Sequence, residues 1–173
     1  MKTKLYLSVL MCFGLSSCQV VTETLSSVNG VLSSVNSALS GTAVTSAAQS
    51  SVDSAVNKAK ASQDAKILFN QAKPAISKYV ALIACNTPTK QLAVYSDPDS
   101  MEPNGLGMPQ HNMSHHKSGC LNVLRIERIK KLAANTIEFQ AVYVSPQSEE
   151  VVRKMHHAIK QPSGDWLFDF WGL

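Results

Sequence analysis

The chain has 173 residues, of which 45% are hydrophobic and 16% are charged, so it has enough apolar side chains for a packed core. Its net charge is +4, which falls to +2 when Lys2 and Lys4 at the start of the chain are set aside. This weak charge, with no basic cluster longer than Lys130-Lys131, argues against nucleic-acid binding. The sequence also contains no Gly-rich phosphate loop, HExxH or GxSxG motif, and so points to none of the enzyme classes that these motifs mark.

The first 17 residues, MKTKLYLSVLMCFGLSS, have the composition of an export signal. Two lysines precede an apolar run from Leu5 to Leu15, and small residues follow it. A run of 11 residues is shorter than the roughly 20 residues that a membrane-spanning helix needs. We therefore predict that residues 1–17 are a cleaved signal peptide and that Cys12 is removed with it.

The tetrapeptide Leu15-Ser16-Ser17-Cys18 closely resembles the lipobox of bacterial lipoproteins. The resemblance implies diacylglyceryl transfer to the Cys18 sulfur, cleavage before Cys18 and acylation of the new amino group. Together these acyl chains would anchor the protein stably in a membrane. In such lipoproteins an Asp after the modified cysteine favours retention in the inner membrane, so Gln19 favours the outer membrane. The alternative is an ordinary secretory signal with a chance cysteine.

Export would place the two remaining cysteines, Cys85 and Cys120, in an oxidising compartment. An even pair of cysteines in such a compartment predicts one disulfide. Two separate buried thiols are the alternative.

Residues 18–63 are predicted to form a spacer between the lipid and a folded domain. Ser, Val, Ala, Thr and Asn dominate from Gln19 to Gln63, and no aromatic residue or proline occurs there. Apolar residues alternate spacings of three and four from Leu25 to Leu39, which is a heptad pattern similar to the helical stalk of small murein-type lipoproteins. The pattern allows a dimeric or trimeric stalk. Gly30 and Gly41 weaken the helix, so a flexible tether remains the alternative.

Residues 64–173 are predicted to form an α+β domain in which a helix packs on an antiparallel β-meander. Apolar residues recur at helical spacing from Ala65 to Ile83, with a kink or break predicted at Pro74, where a second helical piece would begin. Strands are predicted at 91–96, 121–131 and 136–145, followed by a further strand around 151–160 and a closing aromatic strand at 166–171. In the third strand Ile137, Phe139, Ala141 and Tyr143 are expected to face the core. In the strand after it Val151, Met155 and Ile159 are expected to face inward, opposite Lys154, His156 and Lys160.

The order of a helix, long strands and a final aromatic strand after Gly164-Asp165 resembles the small NTF2-like or cystatin-like domains of bacterial lipoproteins. This resemblance covers about residues 64–171. It implies a concave sheet that serves as a binding surface, and it makes a small-molecule-binding domain one alternative. Fold alone does not assign a function.

Candidate catalytic groups are few. His156 and His157 are adjacent on a predicted strand, so their side chains point to opposite faces and cannot share a ligand. His157 is expected to face inward with Arg153, near Asp169 if the strands pair in the simplest register. The aromatic residues of the last strand, Trp166, Phe168, Phe170 and Trp171, are expected to pack in the core or at the sheet edge.

The predicted loop at residues 97–119 contains several side chains that could bind a metal ion. Thioethers and imidazoles suit copper, especially Cu(I), in an exported protein. The candidate ligands are Met108, His111, Met113, His115 and His116. The alternative is a solvent-exposed loop that carries these residues without binding metal.

The sequence as a whole predicts a lipid-anchored protein of the bacterial cell envelope, most consistent with the outer membrane. Its domain is expected to be a non-enzymatic binding or structural module that contacts an unidentified envelope protein. A copper-binding lipoprotein and a small-molecule-binding NTF2-like domain are the alternatives.

Overall fold

The structure, a computed structural model, describes residues 44–97 and 108–169. The signal peptide, Cys18 and the heptad pattern of residues 25–39 lie outside this part of the chain. The described residues form three α-helices and a four-stranded antiparallel sheet, which confirms the α+β class.

The sheet is a meander whose strands lie side by side in chain order: β1 (Asn122–Ala133), β2 (Thr136–Val144), β3 (Val151–Lys160) and β4 (Trp166–Asp169). β1 and β2 agree closely with the predicted strands at 121–131 and 136–145. Bulges interrupt the pairing of β1 with β2, whereas β2 and β3 pair without a break from Thr136 opposite Ile159 to Val144 opposite Val151. β2 and β3 therefore form the regular centre of the sheet.

We call the side of the sheet that the helices cover the inner face. The residues of β2 that were predicted to face the core, Ile137, Phe139, Ala141 and Tyr143, lie on this face and are fully buried. This confirms the alternation of β2. The other side of the sheet is the outer face, and it carries Glu138, Gln140 and Val142 of the same strand.

The inward face of β3 was predicted wrongly. Directly opposed residues of an antiparallel pair point to the same side, and His156 lies opposite the buried Phe139. The inner face of β3 therefore carries Val152, Lys154, His156 and Ala158. Met155 and His157 lie on the outer face.

Helix α1 (Ser46–Lys58) belongs to the domain, although its residues were assigned to the spacer by the sequence analysis. Thr45 caps its first turn by accepting a hydrogen bond from the Ala48 amide at 3.2 Å. One side of the helix packs against β1 and α2 (Lys66–Ala84), burying Val52, Ala55 and Val56 in the common core. The described part of the domain thus begins at Val44 rather than at residue 64.

Helix α2 carries the predicted apolar stripe, but Pro74 does not break it. The helix is continuous from Lys66 to Ala84, and Ile76 and Tyr79 on its buried side are fully enclosed. Pro74 and Asn70 are both exposed. Proline has no amide hydrogen, so the Asn70 carbonyl receives no hydrogen bond from position 74. This carbonyl lies on the side of the helix that faces water.

The strand predicted at 91–96 is absent. Residues Thr89–Leu92 form the short helix α3, and a 3₁₀ turn continues from Ala93 to Tyr95. The chain then reaches the sheet only at Ser96, which makes an isolated bridge to Phe168 of β4.

Cys85 and Cys120 are joined by a disulfide, the same pair that the sequence analysis proposed. Cys85 is the C-terminal cap of α2, and Cys120 lies two residues before β1. A hydrogen bond of 2.9 Å from the Leu121 amide to the Ala84 carbonyl lies beside the disulfide. Because the cysteines have a sequence separation of 35, the cross-link removes unfolded-state entropy equivalent to about 3–4 kcal/mol in the chain-entropy model.

None of the described helices is both long and apolar enough to cross a membrane.

The role of α1 in the core can be tested with Val52→Ala. Val52 is fully buried, so this change should lower the free energy of unfolding by about 2 kcal/mol through lost apolar burial and a residual cavity. Val94→Ala removes the same two methyl groups at a site that is 71% exposed. It should change the free energy of unfolding by less than about 0.5 kcal/mol. Urea denaturation measures both values. Equal, small effects would mean that α1 does not contribute to the domain core.

Candidate functional site

The five residues proposed as copper ligands have different surroundings. The side chains of Met108 and Met113 are buried, with 4% and 9% exposure, and belong to the hydrophobic core. His111 and His115 are exposed, and His116 is half-buried. The two thioethers thus fill gaps in the core, as methionine commonly does, while the imidazoles lie outside it. Within residues 44–97 and 108–169, no three His, Cys, Asp or Glu side chains are grouped so that they could hold a metal ion.

Two of these histidines instead help to attach their segment to the turn between β2 and β3. The Glu150 carboxylate accepts hydrogen bonds from the amides of Ser114 and His115, at 3.0 and 2.8 Å, and contacts His115 Nδ1 at 3.1 Å. These hydrogen bonds, above all the one from the His115 amide, lower the pKa of Glu150 to about 2. His116 Nδ1 lies 3.0 Å from Ser145 Oγ and its Nε2 lies 3.3 Å from the Gly119 carbonyl.

A third histidine, His156, is enclosed in the core with only 4% exposure. Its Nδ1 lies 3.4 Å from the Tyr79 hydroxyl and its Nε2 lies 3.2 Å from the Tyr143 hydroxyl. A neutral imidazole has one donor and one acceptor, so one tyrosine accepts a hydrogen bond and the other donates one. Burial lowers the pKa of His156 to about 3, and burial raises the pKa values of both tyrosines. This network therefore satisfies a neutral histidine inside the core.

The fourth histidine with a defined environment, His157, lies on the outer face between two carboxylates. Its Nδ1 is 3.3 Å from Asp169 Oδ2 and its Nε2 is 3.5 Å from Glu138 Oε2. Glu138 also lies 3.6 Å from the Lys130 ammonium on β1. The nearness of His157 to Asp169 agrees with the simplest strand register, but the pair faces outward and Arg153 is exposed.

This row of charges crosses all four strands of the sheet. Lys130, Glu138, His157 and Asp169 come from β1, β2, β3 and β4, and each lies opposite the next in the strand register. The Glu138–His157 contact was not anticipated. It could be found from sequence only with the β2–β3 register, because the two residues are 19 positions apart.

Next to this row, the outer face has an apolar centre that is shielded from water. Val142 is fully buried although it points away from the helices, and it lies opposite Arg125 on one side and Arg153 on the other. Long arginine side chains can cover apolar surface with their methylene groups while the guanidinium stays in water. The two arginines thus flank a buried valine in the middle of the outer face.

Gln140 lies beside Val142 at this centre and is only 7% exposed. Its amide nitrogen lies 3.3 Å from Met155 Sδ, a weak acceptor. The buried Gln140 Oε1 has no hydrogen-bond partner among the residues that the structure describes. The outer face therefore combines an apolar centre, an unfilled acceptor and a row of paired charges.

The described aromatic residues of β4, Trp166 and Phe168, pack in or against the core. Phe168 is fully buried and stacks on Tyr79 with ring centroids 3.9 Å apart, and Trp166 is partly buried against the same cluster. Phe170 and Trp171 lie outside the described residues.

Comparisons with protein-family models, with curated proteins and with solved structures found no match for this chain.

The buried His156 predicts a specific dependence of stability on pH. In the unfolded chain an ordinary histidine binds a proton below about pH 6.5, whereas the buried ring does so only near pH 3. Between these values the unfolded state holds the extra proton, so the free energy of unfolding should decrease as the pH falls. The slope of this contribution approaches about 1.4 kcal/mol per pH unit.

Urea denaturation between about pH 7 and pH 4.5 tests this prediction. His156→Gln has no titrating ring, so its stability should vary less with pH than that of the wild type. His111→Gln, which changes an exposed histidine, should keep the wild-type dependence. Parallel curves for wild type and His156→Gln would contradict the assignment.

Proposed function

We propose that this chain is a lipid-anchored protein of the bacterial cell envelope whose α+β domain binds another envelope protein through the outer face of its sheet. The anchor part of the proposal is based on the lipobox-like sequence ending at Cys18, with Gln19 favouring the outer membrane. The heptad pattern of residues 25–39 would provide a contact between copies of the chain.

The composition of the outer face is the observation that supports the proposed binding of another protein. Val151 is 46% exposed on this face and lies two residues from the exposed Arg153, so the face offers a partner an apolar contact beside charged groups. The paired charges across the four strands would set the orientation of the partner.

Binding fits these residues better than catalysis does. Both ring nitrogens of His157 already face carboxylates, at 3.3 and 3.5 Å. In the described part of the chain, no hydroxyl or thiol hydrogen-bonds to His157, so the usual pairing of a nucleophile with its base is not formed there. The structure gives copper binding less support, because two of its five proposed ligands are core residues.

The lipid anchor can be tested by replacing the modified cysteine. Cys18→Ala should abolish incorporation of labelled palmitate and leave an unprocessed or soluble protein, because the acyl acceptor is lost. Cys12→Ala is the matched control, since it changes the other cysteine of the N-terminal region and should leave processing unchanged. If Cys18→Ala still fractionates with the outer membrane after mild washing, the anchor does not depend on Cys18.

The binding face can be tested in cells with a photo-crosslinking residue at single positions. At Val151, which is 46% exposed on the outer face, the residue should give one adduct of defined mass. At Ile67, which is 75% exposed on α2, it should give none. Arg153→Glu should reduce the Val151 adduct, because it reverses a charge beside the apolar centre, whereas Lys66→Glu on α2 should not.

Adducts of similar yield from Val151 and Ile67 would contradict a face-specific interaction. So would a Val151 adduct that is insensitive to Arg153→Glu.

A further inference from the structure

The side of α2 that faces water carries a line of residues that packing within the domain does not use. Four exposed residues follow one another at spacings of four, three and four, so they line one side of the helix. They are Ile67, Gln71, Pro74 and Lys78, and we call them the α2 stripe. Ile67 is 75% exposed, the largest exposure among the large apolar residues of the described chain.

Two contacts join further residues to the α2 stripe. Lys160, at the end of β3, donates a hydrogen bond from its ammonium to Gln71 Oε1 at 2.9 Å. The Lys78 ammonium lies 5.2 Å from the centre of the Tyr95 ring. Val94, the residue before Tyr95, is 71% exposed. The stripe and its neighbours thus present two lysine ammonium groups beside exposed aliphatic side chains.

The positive charge of this surface is not balanced by carboxylates of the same segment. Residues 65–96 contain four lysines and no Asp or Glu. Among the residues that the structure describes, no carboxylate forms an ion pair with Lys78 or with Lys160. Both ammonium groups therefore remain available to an anionic partner.

Two carboxylates that border this region are engaged in other contacts. Asp53, on α1, accepts hydrogen bonds from Gln49 at 2.9 Å and from the Ser77 hydroxyl. Asp97, after the 3₁₀ turn, accepts a hydrogen bond from Gln161 at 3.0 Å. These contacts direct the two carboxylates toward neighbouring side chains of the domain rather than toward the ammonium groups.

We propose that the α2 stripe lies on the anionic lipid headgroups of the membrane that holds the anchor, with Ile67 and Val94 entering the headgroup boundary. The inference rests on the proposed acylation of Cys18, which would keep the domain close to this surface. Unpaired ammonium groups are attracted to anionic headgroups, and exposed aliphatic side chains gain by leaving water there.

A lipid surface fits the shape of the stripe. The 11 positions from Ile67 to Lys78 extend over about 16 Å along the helix axis. The side of a helix is convex, so a planar surface can meet the whole line without a matching groove. Because the helices cover the inner face of the sheet, this orientation directs the outer face away from the membrane, toward the proposed protein partner.

Site-specific fluorescence on the lipidated protein tests this orientation. An environment-sensitive fluorescent amino acid is introduced at Ile67 or at Val151, and the protein is reconstituted in phosphatidylcholine vesicles with or without phosphatidylglycerol. Flotation of the vesicles reports the anchor separately. With phosphatidylglycerol, the emission from position 67 should shift to the blue, and the emission from position 151 should not. High salt should reverse the shift, because it screens the headgroup charge.

Two double variants with the same net charge separate a specific contact from a general charge effect. Lys78→Gln with Lys160→Gln removes the ammonium groups of the stripe. It should lower the equilibrium constant for membrane contact about 25-fold, which is about fivefold for each lysine. Lys117→Gln with Lys130→Gln removes two exposed lysines, one near the β2–β3 turn and one on β1, and should leave the position-67 emission unchanged.

Several results would overturn the proposal. One is protein that floats with anionic vesicles but shows no blue shift at position 67. Others are an equal shift in neutral vesicles, or an equal loss of the shift in the two double variants. Protein that does not float contradicts the lipid anchor instead. The same probes are then read in Cys18→Ala added to phosphatidylglycerol vesicles, where an unshifted position 67 overturns the stripe independently of the anchor.

Discussion

The contact of Tyr79 with the sheet is the interaction on which the rest of the domain depends. The Tyr79 ring stacks on Phe168 of β4 with planes 1° apart, and it meets His156 of β3 edge-on with centroids 5.4 Å apart. One side chain of α2 thus holds two neighbouring strands, through area burial and aromatic geometry together. The hydroxyl group of the same residue reaches His156 Nδ1. Because Tyr79 supplies both an apolar ring and a polar group, a histidine can occupy the middle of this core.

The position of His156 in turn decides the chemistry of the outer face. Side chains alternate along a strand, so an inward His156 places Met155 and His157 on the opposite side. His157 there meets Glu138 and Asp169, and Met155 lies beside Gln140. A slip of one residue in the pairing would exchange these two sets and would bury His157 together with Arg153. The polar partners of His156 in the core and the exposed charge row are therefore two consequences of one strand register.

The same two strands show what could and could not be predicted from the sequence. β2 has large apolar residues at every second position, so its inward face followed directly from the alternation. β3 carries both polar and apolar residues on each of its faces. Val151, Met155 and Ile159 make the outward set the more hydrophobic one, and hydrophobicity alone selected it as the inward set. The correct choice depends on tyrosine hydroxyls that come from α2 and from β2, and no pattern within β3 contains that information.

The other differences between prediction and structure have related causes. α1 packs through Ala48, Val52, Ala55 and Val56, small side chains that occur throughout residues 18–63, so composition did not distinguish this segment from a spacer. Likewise, the spacing of methionine and histidine near residue 110 did not tell which of these side chains would enter the core. Burial separates them, because a thioether loses little on leaving water and an imidazole loses more. The predicted copper set therefore combines two core residues with exposed and half-buried histidines.

The segment from Met108 to Cys120 is held to the domain by several independent attachments. Cys120 joins it covalently to the end of α2, Gln110 binds the last carbonyls of that helix, and Glu150 holds the amides of Ser114 and His115. The low pKa of Glu150, about 2, keeps its carboxylate ionised across the pH range in which the domain is expected to be folded. The 3₁₀ turn thus has a position fixed against β3, and Gln110 cannot easily rotate its oxygen toward water without losing two hydrogen bonds. Gln110 Oε1, which is buried and has no hydrogen-bond partner in the described part of the chain, is therefore held in place by the two hydrogen bonds of its own amide nitrogen.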